Sequence, residues 1–243
     1  MLVRNRDAFQ QRYGAGPAIA GIFANGSGLS NSGEQLQLLA RNGSVIRGFG
    51  YHDETPWPTA ADGLGPCLVL VQPETGPDHA VAENWRLSEA VGGQPGADDR
   101  LGYASWRLAQ FSAAEASNDL ISGYAADPDS DGVTNGLEYA IGTNPKSADA
   151  QSQLPSFTLA DFDPGTGPVT YGWFSLRVRR AAEDVVFVAE SGPDLAAWSP
   201  EPSGMIRVGV VDFSDGTGQI LWRTVAPIGA SNRLFVRIRS AAP

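Results

Sequence analysis

The sequence has almost none of the residues that support thiol or imidazole chemistry. Of its 243 residues, one is cysteine (Cys67) and two are histidine (His52 and His79). A single cysteine excludes an intrachain disulfide and a thiolate metal cluster. Because Cys67 lies in a strand-like apolar run, residues 67–71, we interpret it as a small buried hydrophobe and not as a reactive thiol.

Long hydrophobic runs are missing as well. No stretch approaches the roughly 18 apolar residues that a membrane-spanning helix needs, so we expect no membrane span. The first residues, Met1-Leu-Val-Arg-Asn-Arg6, contain no apolar signal core. If the protein is exported, we expect its export signal to lie outside this chain.

Positive charge is scarce relative to negative charge. The chain has 27 acidic residues against 17 lysines and arginines, which gives a formal net charge of −10. A negative field of this size repels phosphate backbones, so we expect no nucleic-acid partner. Cations are the natural counter-ligand of such a chain.

Glycine and proline divide the chain into short segments. The 29 glycines and 17 prolines favour β-sandwiches joined by loops over a helical bundle. We predict a mainly β protein in which two immunoglobulin-like β-sandwich modules, residues 1–97 and 151–243, are joined by a short α-helical calcium-binding segment, residues 98–150.

Local signals predict elements in the first module. The apolar runs Leu36–Ala40 and Val45–Phe49 flank Asn42-Gly43, which is typical of a β-hairpin. Residues 66–72 read as a further strand, and residues 7–13 as a short helix capped by Asp7.

The middle segment changes to a helical period. A helix is predicted around Trp106, and Ser112 with Glu115 three residues later forms a capping-box pattern. A short helix at residues 137–141 is expected to end at Gly142. From about residue 153 alternating apolar patterns return, and they predict strands at 171–179, 185–190, 205–211, 219–225 and 234–239.

The charged loop between the predicted helices matches the calcium-loop pattern D-x-D-x-D-G-x₅-E over residues 127–138 without departure. Calcium is a hard cation that takes six to eight oxygen ligands in flexible geometry. Gly132 permits the sharp bend of the loop, and the final glutamate supplies two oxygens. The predicted ligands are Asp127, Asp129, Asp131, the backbone carbonyl of Val133, Asn135 and Glu138.

The residues on either side of the loop indicate which kind of calcium loop it is. Pro128 and the stretch Ser122–Ala126 disfavour a long helix directly before the loop, unlike a paired EF-hand. The loop resembles those of dockerins and thrombospondin type 3 repeats, in which a single helix follows the loop. The ending Glu138-Tyr-Ala-Ile-Gly-Thr-Asn-Pro145 is similar to endings common in such segments of secreted bacterial proteins.

Residues 9–96 resemble the second half of a bacterial lamin tail domain, which implies an immunoglobulin-like sandwich. The similarity is carried by Phe9-x-x-x-Tyr13-Gly14, Gly28-Leu-Ser-Asn31-x-Gly33-Glu34, Tyr51-x-x-x-x-Pro56-Trp57-Pro58, Asp62-Gly63-x-Gly65, Asn84-Trp85-Arg86-x-Ser88 and Gly93-x-Pro95-Gly96. The I-E-L-x-N type motif with which that family begins is absent before Phe9. The sandwich is therefore expected to be truncated, completed by another part of the molecule, or rebuilt by the rest of the chain.

Residues 153–240 resemble the β-rich C-terminal modules that follow calcium loops in large secreted bacterial proteins. The similarity is carried by Val186–Ser191, Asp194-Leu195, Trp198 and Arg233–Arg239. The resemblance implies no activity.

Catalytic motifs are absent from the sequence: it contains no G-x-S-x-G, H-E-x-x-H or phosphate-cradling loop. Asp53 and Glu54 are adjacent, so on an extended chain they point to opposite sides and cannot flank one scissile bond. Trp57, beside His52 and Asp53, is a candidate platform for sugar stacking. The alternative is that Trp57 and Trp85 fill a sandwich core.

These observations favour a non-catalytic, calcium-binding structural or adhesive module of a secreted or cell-surface bacterial protein. Its partners would be other segments of a longer parent protein or extracellular polymers. Two alternatives stay open: a carbohydrate-binding accessory module of a secreted enzyme, and a hydrolase whose carboxylates are brought together only by the fold.

Overall fold

A computed structural model describes residues 1–148, 153–229 and 233–241. The protein is mainly β, and the chain divides into two compact units. The first comprises Met1–Arg100 with Ser214–Gly216, and the second comprises Leu101–Phe213 with Thr217–Pro243. The predicted boundary between residues 150 and 151 lies outside the described residues. Among the helices of the described ranges, none has the length and apolar character needed to cross a membrane.

The first unit is built from short strands and one helix. Its elements are β1 (Leu2–Val3), α1 (Arg6–Tyr13), β2 (Gly21–Ile22), β3 (Glu34–Leu39), β4 (Val45–Tyr51), β5 (Leu68–Leu70) and β6 (Trp85–Leu87). Strands β1 and β2 pair in parallel, whereas β3–β4 and β5–β6 are antiparallel pairs. Single 3₁₀ turns lie at Ala24–Gly26, Thr59–Ala61, Pro73–Thr75 and Ala82–Asn84.

The predicted hairpin is confirmed by the pairing of β3 with β4. Gly43 has a φ of 84°, a conformation that side chains with a Cβ rarely adopt, and Ala40 N–H donates to the carbonyl of Ser44 at 2.8 Å. Helix α1 is also confirmed, but its cap is Asn5, whose Oδ1 accepts from Ala8 N–H at 2.9 Å. The prediction of Asp7 as the cap was therefore wrong, and Asp7 lies in the first turn.

Cys67 and Arg86 of the first unit differ in burial. Cys67 is exposed, so its interpretation as a buried hydrophobe is wrong. Strand β5, which follows it, pairs with β6 alone among the described strands and has no fully buried residue. Arg86, in contrast, is buried, and its Nη1 lies 2.8 Å from Oδ2 of Asp99, which is also buried. The pairing offsets the large cost of burying either charge alone.

The second unit contains helices followed by strands. Its helices are α2 (Tyr103–Gln110), α3 (Ala113–Ala116), α4 (Asp119–Ser122) and α5 (Asn135–Ile141). Its strands are β7 (Ser156–Phe162), β8 (Val169–Arg179), β9 (Val186–Gly192), β10 (Ser199–Pro200), β11 (Met205–Asp212), β12 (Thr217–Thr224) and β13 (Phe235–Ala241). The antiparallel sheets have the strand orders β11-β12-β8-β7 and β10-β9-β13.

Most elements of the second unit follow the sequence signals. The strands predicted from residue 171 onward are confirmed as β8, β9, β11, β12 and β13. The capping box is confirmed: Glu115 N–H donates to Ser112 Oγ, and Ser112 N–H donates to Glu115 Oε2. The short helix ends as predicted at Gly142, where φ is 86°. Strand β7 was not individually predicted, and it is exposed along its whole length.

One hydrophobic core joins the helices and both sheets of the second unit. Trp106 of α2 and Tyr139 of α5 are buried with Phe174 of β8, Trp222 of β12 and Phe187 of β9. The core therefore includes the two helices as well as strands from each sheet.

A buried carboxylate on the central strand of the three-stranded sheet is held by two arginines. Glu190 on β9 accepts from Arg237 Nε at 2.6 Å and from Arg239 Nε at 3.3 Å, and the Arg237 guanidinium lies 4.1 Å from the centroid of the Trp198 ring. The hydrogen bond from Arg237, and then the charges of both arginines, lower the pKa of Glu190.

This arrangement predicts a pH-dependent effect of Glu190→Gln on stability. Since the folded state lowers the pKa of Glu190, the ionised carboxylate stabilises the fold above the unfolded-state value of about 4.3, and this contribution is lost as pH falls through the lower folded value. Urea unfolding should show a loss of stability in the variant at neutral pH that shrinks below pH about 4. Glu54→Gln, at an exposed position, is the control. A loss of the same size at all pH values would contradict the assignment.

Candidate metal centre

The candidate centre is the loop between helices α4 and α5. Two backbone hydrogen bonds close it: Asn135 N–H donates to the carbonyl of Ala126 at 2.8 Å, and Gly136 N–H donates to the carbonyl of Tyr124 at 2.9 Å. A side chain at Gly136 would collide with the Tyr124 ring. The two ends of the loop are therefore held together before any metal is considered.

The loop brings three carboxylates together. One oxygen each of Asp127, Asp129 and Asp131 lie within 4.8 Å of one another. Backbone N–H groups organise them: Asp131 N–H donates to Asp129 Oδ1, Gly132 N–H to Asp127 Oδ2, and Val133 N–H to Asp131 Oδ1. Gly132 has a φ of 90°, which makes the bend that the pattern requires. The geometry is that of a compact oxygen-rich turn.

Several oxygens of this region are buried without hydrogen bonds to any described residue. They are Asp127 Oδ1, Asp129 Oδ2 and Asn135 Oδ1. A buried polar atom that makes no hydrogen bond costs about 1–3 kcal/mol. An oxygen-binding cation would remove that cost for each of these atoms that it contacts.

Electrostatic repulsion also acts among the three aspartates of the loop. Burial, and then the neighbouring carboxylates of Asp131 and Asp127, raise the pKa of Asp129. Both effects penalise the negative charge. A divalent cation at this position would reverse the repulsive part of this penalty.

Asn135 connects the loop to the segment before it. The residue is fully buried, and its Nδ2 donates to the carbonyls of Ile121 and Gly123, each at 2.9 Å. These two bonds fix which end of the amide is nitrogen and leave Oδ1 as the acceptor. Sequence reasoning predicted Asn135 as a ligand but missed this second role, because the carbonyl partners are not encoded by residue type.

The remaining predicted ligands have different positions. Glu138 lies on α5 and is fully buried, and Thr143 Oγ1 donates to its Oε1 at 3.5 Å. Its carboxylate is not a member of the group within 4.8 Å that the three aspartates form. The side chain of Val133 is buried in the core of the second unit. The structure thus brings together three of the predicted ligands and places the others on the adjoining backbone and helix.

The donor set determines which ions suit the loop. Every side chain assigned to it offers oxygen, from carboxylates or an amide. Oxygen donors select hard cations such as Ca²⁺, Mg²⁺ or Mn²⁺ over Zn²⁺ or Cu²⁺, which prefer nitrogen and sulfur. The residues present therefore fit a hard divalent cation.

A separate cavity lies in the first unit at the predicted ligand-binding residues. Its volume is about 340 Å³, and its lining includes His52, Asp53 and Trp85. Trp57, in contrast, is only 6% exposed and packs on the Trp85 ring at a centroid distance of 6.0 Å. The Trp57 indole is therefore not an exposed platform for a sugar. The tryptophan that lines the cavity with His52 and Asp53 is Trp85.

Comparison of the chain with protein-family models, with curated proteins and with solved structures finds no match.

The double role of Asn135 predicts a loss of stability in the metal-free protein. Asn135→Ala leaves two carbonyls without their donors, which should cost about 2–3 kcal/mol, measured by denaturant unfolding in the presence of a chelator. Asn118→Ala is the matched control, because Asn118 is an exposed cap whose side chain accepts a hydrogen bond from Leu120 N–H, and its loss should cost about 1 kcal/mol. Equal costs for the two variants would show that the Asn135 amide does not hold the loop.

Proposed function

We propose that residues 127–138 bind one calcium ion, and that the protein is a non-catalytic structural or adhesive module of a secreted or cell-surface protein. The observation that carries the proposal is the group of Asp127, Asp129 and Asp131 within 4.8 Å, in which Asp127 Oδ1 and Asp129 Oδ2 are buried and make no hydrogen bond to a described residue. In this proposal Asn135 and the Val133 carbonyl extend the shell, and Glu138 closes it.

Calcium is favoured over magnesium by the number and flexibility of the ligands. Ca²⁺ takes six to eight oxygens at about 2.3–2.6 Å, whereas Mg²⁺ demands near-ideal octahedral geometry and keeps several waters. The loop offers protein oxygens from six positions, including a glutamate that can bind through both of its oxygens. That glutamate is the element that should move toward the aspartates when calcium binds.

A structural role is supported by the place of the loop in the fold. Helix α5 follows the loop directly, and its Tyr139 and Ile141 are buried in the core of the second unit with Trp106 of α2. A helix as short as α5 is marginal without packing or a bound ion. Calcium would therefore stabilise the core of the second unit as well as the loop itself.

The architecture and setting belong to the same proposal. We infer β-sandwich modules on either side of the helical segment, with residues 9–96 similar to a lamin tail domain and the C-terminal strands similar to modules of secreted bacterial proteins. The contribution of two antiparallel sheets to one core supports the second sandwich. The partners we infer are extracellular polymers or other segments of a longer parent protein.

Isothermal titration calorimetry of the metal-stripped protein with calcium tests the proposal. We expect one site with a Kd of about 10⁻⁴–10⁻³ M or somewhat tighter, as in extracellular modules. At calcium near 100 times the Kd, the stability of the protein should rise by about 2.7 kcal/mol. Glu138→Ala should remove most of the binding, because it removes the ligand that supplies two oxygens.

Asp129→Asn should also weaken calcium binding, whereas Asp7→Asn, at an exposed position on α1, should leave it unchanged. Absence of a calcium-dependent heat, or equal binding by the Glu138 variant, would refute the assignment. A glycan array tests the carbohydrate-binding alternative independently of calcium.

A further inference from the structure

The cavity of the first unit has an aromatic wall that is fixed in place. Phe49, Tyr51 and Trp85 line it, and the rings of Phe49 and Trp85 stack with a centroid distance of 5.6 Å and an interplanar angle of 26°. The Tyr51 hydroxyl donates to the Ser30 carbonyl at 2.6 Å, and the Trp85 indole N–H donates to the His79 carbonyl at 2.9 Å. Both donors of the wall are engaged, so the wall offers ring surface to a ligand and not hydrogen-bond donors.

The charges that line the cavity have one sign. Asp53 and Asp62 belong to the lining, and no arginine or lysine among the described residues does. Within the described part of the chain, neither carboxylate forms an ion pair or a hydrogen bond through its side chain. Arg47, the cation next to the aromatic cluster, points its Nη1 to within 3.4 Å of His79 Nδ1. An anionic ligand would meet two negative charges with no compensating group in the lining.

The size and polarity of the cavity restrict the ligand further. About 340 Å³ lies at the low end of the range of roughly 300–1,000 Å³ that ligand sites occupy. Leucines from three segments, Leu29, Leu36 and Leu68, contribute to the apolar part of the lining. A ligand that fits is small, has an apolar body and carries positive charge. Aromatic rings attract such cations through their negative faces.

We propose that this cavity binds a small organic cation of the quaternary ammonium type, with the aromatic wall against its methyl groups and the two aspartates facing its charge. The site is separate from the calcium loop, since all of its lining residues belong to the first unit. The inference is independent of the proposed calcium-binding function.

Titration of the full chain with choline, followed by tryptophan fluorescence and by NMR, tests the proposal. The comparison probe is the uncharged isostere of choline, in which carbon replaces the nitrogen. Choline should bind at least about fivefold more tightly than the isostere, because only the charged form gains the cation–π and carboxylate attraction. Chelation of calcium should leave choline binding unchanged.

Two variants separate the contribution of the two carboxylates from that of the Phe49 ring. Asp53→Asn combined with Asp62→Asn should abolish most of the preference for choline without unfolding the protein, because neither carboxylate supports the fold through a described hydrogen bond. Phe49→Leu should weaken choline more than its isostere. Glu54→Gln, an exposed neighbour outside the lining, is the control.

Three results would overturn the proposal. One is equal affinity for choline and its isostere, which would make the cavity a simple apolar pocket. Another is the absence of saturable choline binding by the folded wild-type protein. The third is binding to phosphatidylcholine vesicles without binding of free choline, which would assign the surface to a membrane and not to a small ligand.

Discussion

Mutual repulsion among three aspartates is concentrated in one loop of the second unit. Asp127, Asp129 and Asp131 are held within 4.8 Å by backbone N–H groups of their own loop, and the loop ends are tied by hydrogen bonds from Asn135 and Gly136. The chain therefore maintains a concentration of negative charge in one loop. Such an arrangement is unfavourable alone and favourable around a divalent cation.

The aspartate loop is joined directly to a helix that packs in the core of the second unit. Asn135 begins helix α5, and within the next two turns the same helix buries Tyr139 and Ile141 beside Trp106 and Phe174. The ligand-bearing loop and the core-forming helix are thus consecutive in the chain. Stabilisation of the loop by a bound cation would therefore act next to residues that pack in the core of the second unit.

The features that could be predicted from the sequence involve residues that lie close together along the chain. Aspartates on alternate residues, the Asn42-Gly43 turn and the Ser112–Glu115 capping box each involve residues a few positions apart, and the structure contains all three. The shared core could not be predicted, since contacts between α2, α5 and β8 join residues that are far apart in the chain. The exposure of Cys67 was missed for a related reason: burial depends on how many strands a sheet has, and an apolar run does not specify that number.

We propose that metal bound at the loop stabilises the core of the second unit. Hydrogen exchange measured by mass spectrometry tests this stabilisation most directly. Calcium should slow exchange in the loop, in α5 and in peptides of α2 and β8, whose residues share the core. Peptides of β3 and β4 in the first unit should be unaffected and serve as an internal control. Protection confined to residues 127–138, with α2 and β8 unchanged despite confirmed calcium binding, would contradict the account.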